Sequence, residues 1–445
     1  MPKPRKPQMN YRMSLTQQLR TTDPVLAALI ADEATRQQES LELIASENFT
    51  SPAVLECLGS ILTNKYAEGL PGKRYYGGNE VVDKIEILAQ ERALTAFNLD
   101  AATWAVNVQP YSGSTANAAV YLGLLQPHDR IMGLDLPSGG HLTHGFMTAK
   151  RRVSATSVYY ESIPYKVGKD GLIDYDEMEK TALLVKPKLI ICGYSAYCRD
   201  LDYKRFRAAA DKVGALLMCD MAHFNGFVVA GLLANPFEYC DVVTTTTHKT
   251  MRGPRAGIIF MKQAFAQRIN DAVFPGLQGG PHIHQIAAMA TQLREVATPA
   301  YREYMGQVLA NSRALATEFQ AAGFEVITGG TDNHIILLNV RAFGLSGAQA
   351  ELVLECCNVS VNKNTIAGDQ SALNPSGIRI GMPAMTTRGM KEGEMKWIAS
   401  IIEQALAFGA LNAHKGSAAY REAIEESSII KSLKEEVRER CKMFI

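Results

Sequence analysis

Two segments of the chain decide its fold, the apolar run Leu216-Leu217-Met218-Cys219 that ends in Asp220, and the Thr-rich run Val242-Val243-Thr244-Thr245-Thr246-Thr247 that ends in His248-Lys249. Between residues 189 and 261 the sequence has four short runs of strand character, at 189–194, 215–219, 242–246 and 257–261. A segment with helical periodicity, 203–213, lies between the first two runs. Strands that are covered by helices on both faces read as continuous apolar runs. The sequence therefore predicts an α/β fold with a mainly parallel sheet.

A second, smaller α/β domain is predicted to follow this sheet. Residues 283–319 show helical periodicity without a strand signal, which is typical of a helical bridge between domains. Beyond it the pattern predicts strands at 324–327, 334–340 and 359–363 and a helix at 347–357. Residues 24–42 predict a helix that joins an N-terminal arm to the main body. The expected divisions are 1–35 for the arm and its helix, 36–300 for the large domain and 301–445 for the small domain.

Composition and charge exclude several classes of function. With 46 Lys and Arg against 45 Asp and Glu, the formal net charge of +1 gives no overall field that would attract nucleic acid or an anionic membrane. No apolar run approaches the roughly 18 residues that span a bilayer. The eight Cys include no Cys-x-x-Cys pair of the kind that holds a metal. We therefore expect no nucleic-acid, membrane or metal partner, and a reducing compartment with inert thiols.

The N-terminal segment carries the evidence on cellular location. Its first acidic residue is Asp23, which follows several Lys and Arg, and such a bias occurs in mitochondrial presequences. Pro2, Pro4 and Pro7 oppose the amphipathic helix that a presequence needs. We expect a flexible arm on a cytoplasmic protein, and a mitochondrial location is the alternative.

Lys249 and Asp220 end neighbouring predicted strands, so both should lie at the sheet edge where α/β folds bind ligands. Burial of an ammonium is unfavourable, and a lysine that forms an imine avoids it. A pyridoxal cofactor needs this pair, because a carboxylate keeps its pyridine nitrogen protonated while a lysine binds its aldehyde. His223 would then lie near the phenolic oxygen of the ring. The alternatives are a solvated strand tip for Lys249 and a capping or core position for His223.

Three further segments supply groups that such a cofactor and an amino acid require. Ser112-Gly113-Ser114 before an Ala-rich helix offers backbone N–H groups and hydroxyls to a phosphate, and Gly279-Gly280 offers backbone alone. Each segment is otherwise an ordinary turn or helix cap. Arg379 lies in an apolar stretch and suits a substrate carboxylate, because its planar guanidinium binds carboxylates through two hydrogen bonds. Its alternative role is a structural salt bridge.

The chain also resembles a known family over residues 41–388. The likeness rests on five segments in order: Leu43-Ile44-Ala45-Ser46-Glu47-Asn48, Asn64-Lys65-Tyr66-Ala67-Glu68-Gly69, Pro71-Gly72-Lys73-Arg74-Tyr75-Tyr76-Gly77-Gly78, Gly139-Gly140-His141-Leu142-Thr143-His144-Gly145 and residues 244–255. These segments resemble the serine hydroxymethyltransferases. The resemblance implies a fold-type I pyridoxal-phosphate transferase with a mainly parallel seven-stranded sheet and a smaller C-terminal α/β domain. Its reaction in one-carbon metabolism would be the reversible transfer of the hydroxymethyl group of L-serine to tetrahydrofolate, which gives glycine and 5,10-methylenetetrahydrofolate.

The resemblance assigns the cofactor contacts to single residues. Lys249 would hold pyridoxal 5'-phosphate as a Schiff base, Asp220 would pair with the pyridine nitrogen, and His141 would stack on the ring. Near the phenolic oxygen would lie Ser195 and His223. The phosphate would be bound by Ser112, Gly113, Ser114 and His248 and, from a partner subunit, by Gly279 and Gly280. A site shared in this way implies an obligate homodimer, and His128 matches a position that supports a homotetramer.

The same resemblance assigns the substrate contacts. Arg379 would bind the serine carboxylate with help from Ser46 and Tyr66, and Arg255 would lie near the cofactor lysine. Glu68 would act as an acid or base beside the serine hydroxyl and the folate, with Tyr76 as its neighbour in the partner's site. Tetrahydrofolate, the co-substrate, would contact Leu136, Gly140, Leu142 and Asn364.

Three residues depart from the family pattern. Leu70 stands where a Tyr is expected, and Thr115 and Met382 are unusual beside the phosphate loop and Arg379. None of them removes a group with a chemical role. Two alternatives stay open: a folate-independent enzyme of the threonine aldolase or glycine acyltransferase type, with the same Lys, Asp and phosphate groups, and a scaffold or RNA-binding protein that keeps the fold without catalysis.

Overall fold

The computed structural model describes residues 17–369 and 374–444. Its α-helices are, in chain order, Gln17–Thr22 (α1), Pro24–Glu39 (α2), Pro52–Leu58 (α3), Glu80–Ala96 (α4), Gly113–Leu124 (α5), Ala155–Tyr159 (α6), Tyr175–Val185 (α7), Tyr203–Val213 (α8), Asn225–Val229 (α9), Ala266–Asp271 (α10), Ile283–Val296 (α11), Pro299–Ala321 (α12), Gly347–Cys356 (α13), Pro383–Thr387 (α14), Glu392–Asn412 (α15), Ser417–Glu426 (α16) and Ser428–Cys441 (α17). Its strands are Leu41–Glu42 (β1), Gly69–Leu70 (β2), Lys73–Arg74 (β3), Trp104–Asn107 (β4), Arg130–Met132 (β5), Met147–Thr148 (β6), Arg151–Arg152 (β7), Glu161–Ser162 (β8), Leu189–Gly193 (β9), Leu216–Asp220 (β10), Val242–Thr246 (β11), Gly257–Lys262 (β12), Glu325–Val326 (β13), Ile335–Asn339 (β14), Val359–Ser360 (β15), Asn362–Asn364 (β16) and Gly377–Gly381 (β17).

The large sheet has seven strands in the order β4-β12-β11-β10-β9-β5-β8. β12 runs antiparallel to both of its neighbours, and the remaining pairs are parallel. Strands β9 and β11 are buried along their whole length, which explains the continuous apolar run of β9. The predicted α/β class and the mainly parallel seven-stranded sheet are confirmed.

Capping residues determine where the helices that cover this sheet begin and end, as α8 shows. In α8 the side chain of Asp202 accepts from Arg205 N and caps the first turn, and Gly214 ends the helix in the left-handed conformation. The face formed by Phe206 and its small neighbours Ala209 and Ala210 is buried. The next strand, β10, then begins at Leu216, so this connection stays short.

The second sheet is antiparallel and has the strand order β13-β14-β17-β16. Helix α12 packs against α14 and α15, and α13 packs against α15 and β16. β17 carries Arg379 and pairs with both β14 and β16. This sheet therefore presents a cationic residue on a central strand.

Two predicted elements near the chain's first strand have different bounds. The helix predicted over 24–42 ends at Glu39, because Leu41 and Glu42 are buried and pair in parallel with Val359 and Ser360. The strand predicted over 359–363 is divided, since β15 pairs with β1 whereas β16 pairs with β17. Pairing across long sequence separations, which periodicity does not report, fixes both ends.

The helical stretch predicted over 283–319 is two helices, α11 and α12. Thr298 caps the second helix through Tyr301 N. Pro299 follows it and has no N–H with which to continue the hydrogen bonds of α11. The first helix therefore ends at Val296 and the second begins at Pro299.

Within residues 17–369 and 374–444, no helix has the length and apolar content that a membrane crossing requires. All eight cysteines are free thiols. The predicted N-terminal arm lies mostly in residues 1–16, outside the described residues.

Candidate active site

A cavity of about 690 Å³ lies at the edge of the large sheet where β10 and β11 end. Its lining joins this edge to the segment before α3 and to the second sheet. Of the residues predicted for a site it contains Ser46, Ser112, Gly113, Ser114, Leu136, Gly140, His141, Leu142, Ser195, Asp220, His223, His248, Lys249, Arg255, Asn364 and Arg379. The fold thus brings together side chains that are far apart in sequence.

Asp220 is the last residue of β10 and is buried among hydrogen-bond donors. His144 Nε2 lies 3.0 Å from Asp220 Oδ2, Asn117 Nδ2 donates to the same oxygen at 2.8 Å, and Ala222 N donates to Oδ1 at 3.2 Å. Burial favours the neutral carboxyl, but the hydrogen bond from His144 and its neighbours outweighs this effect, and the pKa of Asp220 lies well below its ordinary value. The cavity therefore contains a permanent negative charge.

Lys249 follows the neighbouring strand and faces the same cavity. Asp220 stands opposite Thr244 in the register of β10 and β11, and Lys249 Nζ donates to Thr246 Oγ1 at 3.1 Å. Burial lowers the pKa of Lys249 from 10.5 to about 8, against the opposing attraction of Asp220. At pH 7 about a tenth of this amine is therefore unprotonated, far more than for an ordinary lysine, and the unprotonated amine is the form that attacks a carbonyl carbon. The structure excludes the solvated strand tip.

The start of α5 forms the anion-binding end of the cavity. Ser112 is the N-cap, and Thr115 Oγ1 accepts from Ser112 N at 2.9 Å. The first N–H groups of a helix have no partner within the helix and point toward an anion. Gly113 is required for the close approach to β11, because a Cβ there would lie 2.7 Å from Thr246 Cγ2. His248 lines the cavity as well, and burial lowers its pKa to about 3.

The other imidazoles of the cavity are also neutral. Burial lowers the pKa of His141 to about 4, and its Nδ1 lies 2.7 Å from Thr143 Oγ1. Burial likewise puts the pKa of His223 well below its usual range. His223 stacks on His334 with ring centroids 5.7 Å apart. These rings can thus act as flat, uncharged surfaces and as single hydrogen-bond partners.

Arg379 brings a buried cation into the same cavity. Its Nε donates to Asn362 Oδ1 at 2.9 Å, and its Nη1 donates to the backbone oxygen of Ser195. Burial lowers the pKa of Arg379 to about 10. Both of these hydrogen-bond partners are neutral oxygens, and among the described residues Arg379 forms no ion pair with a carboxylate, so the alternative of a structural salt bridge is excluded. A buried guanidinium without an anion suits a carboxylate ligand.

Five predicted residues, Tyr66, Glu68, Tyr76, Gly279 and Gly280, form a separate group that we call the second cluster. The rings of Tyr66 and Tyr76 meet edge-on with centroids 5.3 Å apart. The charge of Glu68 raises the pKa of Tyr76. A Cβ at Gly279 would lie 3.2 Å from Glu68 Oε1, and one at Gly280 would lie 3.2 Å from Tyr66 Cε1. Among the described residues, no member of the second cluster lines the cavity that contains Lys249.

Comparisons with known proteins agree on one family. The family model for serine hydroxymethyltransferase matches residues 19–402. The chain belongs to the serine hydroxymethyltransferase family. It is 54% identical to "Serine hydroxymethyltransferase" of Bombyx mori over 97% of both chains. It is 54% identical to the cytosolic serine hydroxymethyltransferase of Oryctolagus cuniculus, covering 89% of this chain and 85% of the relative, and 56% identical to "Serine hydroxymethyltransferase 4" of Arabidopsis thaliana, covering 87% and 86%.

The structure places the three departures from the family pattern outside the charged groups of the cavity. Thr115 supplies the hydroxyl that fixes Ser112 at the start of α5. Met382 is fully buried and precedes α14. Leu70 pairs with Lys73 in the β2–β3 hairpin beside the second cluster. The Thr115 departure is thus compatible with an anion-binding helix start.

Sequence reasoning on the serine hydroxymethyltransferase segments missed His144 and Asn117, which hold Asp220. Both lie in quoted or adjoining segments, but nothing in their spacing shows that they turn toward a strand 76 and 103 residues away. Glu47 was missed too. It lines the cavity, and burial raises its pKa.

A metal ion could also be accommodated beside Asp220. His141, His144 and Asp220 each offer a ligand atom, and these atoms lie within 4.8 Å of one another. Some of these ligand atoms are already engaged in hydrogen bonds: His144 Nε2 is paired with Asp220, and His141 Nδ1 is paired with Thr143. The expectation that this family member needs no metal stays a prediction.

The donor set of the cavity fits pyridoxal 5'-phosphate. Nδ1 of His223 and Nδ1 of His248 are buried, and neither has a hydrogen-bond partner among residues 17–369 and 374–444. Buried polar atoms are normally paired, so these two indicate a polar ligand. An anionic Asp220, a reactive Lys249 and a helix start at Ser112 match a pyridinium nitrogen, an aldehyde and a phosphate respectively.

Proposed function

We propose that the chain catalyses the reversible transfer of the hydroxymethyl group of L-serine to tetrahydrofolate, with pyridoxal 5'-phosphate attached to Lys249. The observation that carries the proposal is the arrangement of one cavity. A lysine of lowered pKa, a buried carboxylate and a buried Arg379 without an anionic partner line it together. Such a site accepts an amino acid by its carboxylate and holds a cofactor by its aldehyde.

Bound pyridoxal phosphate supplies an electron sink for the charge that develops at the α-carbon of the amino acid. The protein's part is to hold that cofactor in one electronic state. Asp220, kept charged by His144 and Asn117, would hold a proton on the pyridine nitrogen of the bound cofactor. Ser112, Gly113, Ser114 and His248 would bind the phosphate, His141 would cover the ring, and Ser195 and His223 would face its phenolic oxygen.

Arg379 would orient the substrate by its carboxylate with help from Ser46, and Arg255, near the cofactor lysine, lines the same cavity. Two parallel hydrogen bonds from a guanidinium fix both the position and the plane of a carboxylate. Fixing the reacting atoms in this way can contribute several kcal/mol to catalysis.

The second cluster would complete the site of a partner subunit. Tyr66 and Tyr76 are 56% and 50% exposed, although both are large aromatic residues, and Glu68 and Tyr66 both lie against the Gly279-Gly280 loop. In an obligate homodimer, Glu68 would act as acid or base toward the serine hydroxyl, with Tyr66 and Tyr76 beside it. Gly279 and Gly280 would reach the partner's phosphate.

Assembly into a homotetramer is proposed on His128. The side chain of this residue is 77% exposed, and its backbone adopts the left-handed conformation with φ of 70°. Its Nδ1 lies 3.5 Å from Oε1 of Glu161. With most of its surface exposed, this side chain is open to contact from outside the fold. A second dimer would cover it.

Tetrahydrofolate would enter where Leu136, Gly140, Leu142 and Asn364 line the cavity. Leu142 is 47% exposed and offers an apolar surface to a pterin ring, while Asn364 offers hydrogen bonds. We propose the cytoplasm as the protein's location. Relatives named as cytosolic enzymes of rabbit and yeast support it, and one relative is named as chloroplastic.

Serine cleavage with and without tetrahydrofolate tests this function. We expect glycine formation from L-serine to be at least about tenfold faster with tetrahydrofolate, since the second substrate captures the departing carbon. L-threonine and L-allo-threonine, assayed without folate, are the control. Equal serine turnover in both conditions, together with fast threonine cleavage, would favour the folate-independent aldolase and overturn the proposal.

A further inference from the structure

Asn48 lies behind the turn that carries Lys249. Its amide nitrogen donates to the backbone oxygen of Lys249 at 3.0 Å and to the hydroxyl of Tyr304 at 2.9 Å. Its amide oxygen accepts from Phe49 N at 2.9 Å and from the hydroxyl of Thr387 at 2.7 Å. An asparagine amide has two donor hydrogens and two acceptor lone pairs, so every bond that it can form is made within the fold.

The Lys249 turn is fixed from a second direction. Arg252 N donates to the same backbone oxygen of Lys249 at 3.1 Å, and Arg252 adopts the left-handed conformation with φ of 57°. Its guanidinium lies 4.1 Å from the centre of the Tyr304 ring. The hydroxyl of Tyr301 donates to the backbone oxygen of Thr250 at 2.9 Å. Lys249, Arg252, Tyr304 and Asn48 thus form a closed ring of contacts.

The same asparagine reaches the element that follows Arg379. Thr387 lies in α14, which begins at Pro383, directly after β17 with its Arg379. The hydroxyl of Tyr304 donates to the backbone oxygen of Pro383 at 3.0 Å. Asn48 is therefore hydrogen bonded on one side to the lysine turn and on the other side to the helix that follows the arginine strand.

We propose that Asn48 is a positioning residue that fixes the backbone of Lys249 and the spacing between Lys249 and Arg379. The proposal rests on the function proposed above, because only then do these two groups hold one cofactor and one substrate. Asn48 itself is not in the cavity lining as the described residues define it. Loss of its amide would let the lysine turn and α14 move independently, and a misplacement of about 1 Å can reduce a rate ~100-fold.

Three variants of the holoenzyme test this role. Asn48→Ala removes all four bonds, and Tyr304→Phe removes one hydroxyl while it keeps the ring under Arg252. Asn311→Ala is the matched control: Asn311 is a fully buried asparagine of α12 that donates to Thr386 Oγ1 and to Met390 O, both at 2.9 Å, without contacting Lys249. For each we would measure the melting temperature, kcat and KM for serine, the pH midpoint of the bound cofactor's visible absorbance, and the rate of cofactor release.

For Asn48→Ala we expect a shifted pH midpoint, faster cofactor release and a fall of ~10–100-fold in kcat/KM for serine. Tyr304→Phe should change the same quantities in the same direction by less. Asn311→Ala should lower the melting temperature only. If Asn48→Ala does not fold, Tyr304→Phe decides alone.

The role of Asn48 is refuted if both site variants lower the melting temperature as the control does while the absorbance midpoint and kcat/KM stay at wild-type values. Failure of the proposed function would look different. The wild-type protein itself would then show no folate-dependent serine cleavage, whatever the variants do.

Discussion

Replacement of Lys249 by methionine should stabilise the cofactor-free protein at neutral pH. In the folded chain burial lowers the pKa of Lys249 from 10.5 to about 8, so below pH 8 the ammonium is held in an environment that disfavours its charge. At ~1.4 kcal/mol per unit, the displacement corresponds to roughly 3 kcal/mol. Methionine has a similar length and no charge. The variant should therefore melt about 3 °C higher, given the usual unfolding entropy per residue for a chain of this size.

The pH dependence gives the sharper test. Between pH 8 and 10.5 the unfolded chain binds more protons at this lysine than the folded chain, so wild-type stability rises with pH across that window relative to the variant. Melting of both cofactor-free proteins at pH 7 and pH 10, at one protein concentration, measures this. Lys188→Met, a change at an exposed lysine, is the control. A difference between Lys249→Met and wild type that is the same at both pH values would refute the reasoning.

Three further predictions follow from the site. Arg379→Lys should raise KM for serine by ~10–100-fold, measured by steady-state kinetics, because one ammonium cannot bind a carboxylate through two parallel bonds; an unchanged KM would remove Arg379 from the substrate site. Mixing Glu68→Gln with Lys249→Met subunits should restore up to about a quarter of wild-type activity through hybrid dimers with one intact site, and no recovery after verified subunit exchange would argue against a shared site. Burial holds the pKa of His141 at about 4 and that of His248 at about 3, so below pH 6.5 the unfolded chain binds more protons than the folded chain. The melting temperature of the cofactor-free protein should therefore fall as the pH falls from 6.5 to 4. A melting temperature that does not change with pH would show that these rings are not buried as neutral groups.

The sequence predicted the large sheet because its strands are apolar along their whole length. The run Leu189–Gly193 has no polar face, and this pattern is typical of strands that helices cover on both sides of a sheet. The ends of elements were less predictable. Leu41 and Glu42 leave the helical pattern in order to pair with residues more than 300 positions away, and local periodicity contains no signal for such a pairing.

The sequence predicted the cavity from charged residues that stand at the ends of predicted strands. Asp220 and Lys249 follow apolar runs, and a buried charge at such a place requires a partner. The residues that tune them were not predictable in this way. His144 and Asn117 hold Asp220, and Asn48 holds Lys249, through contacts that exist only once distant segments have packed.

Identification of the lysine that binds the cofactor tests the central claim most directly. Purified holoenzyme would be reduced with borohydride, which makes the attachment permanent, and digested for peptide mass spectrometry. Lys363 also lines the cavity and is paired with Glu351, so it is the natural competitor. We predict the pyridoxyl mass on the peptide that contains Lys249. Its presence on Lys363, or the absence of any attached pyridoxyl group, would contradict the account.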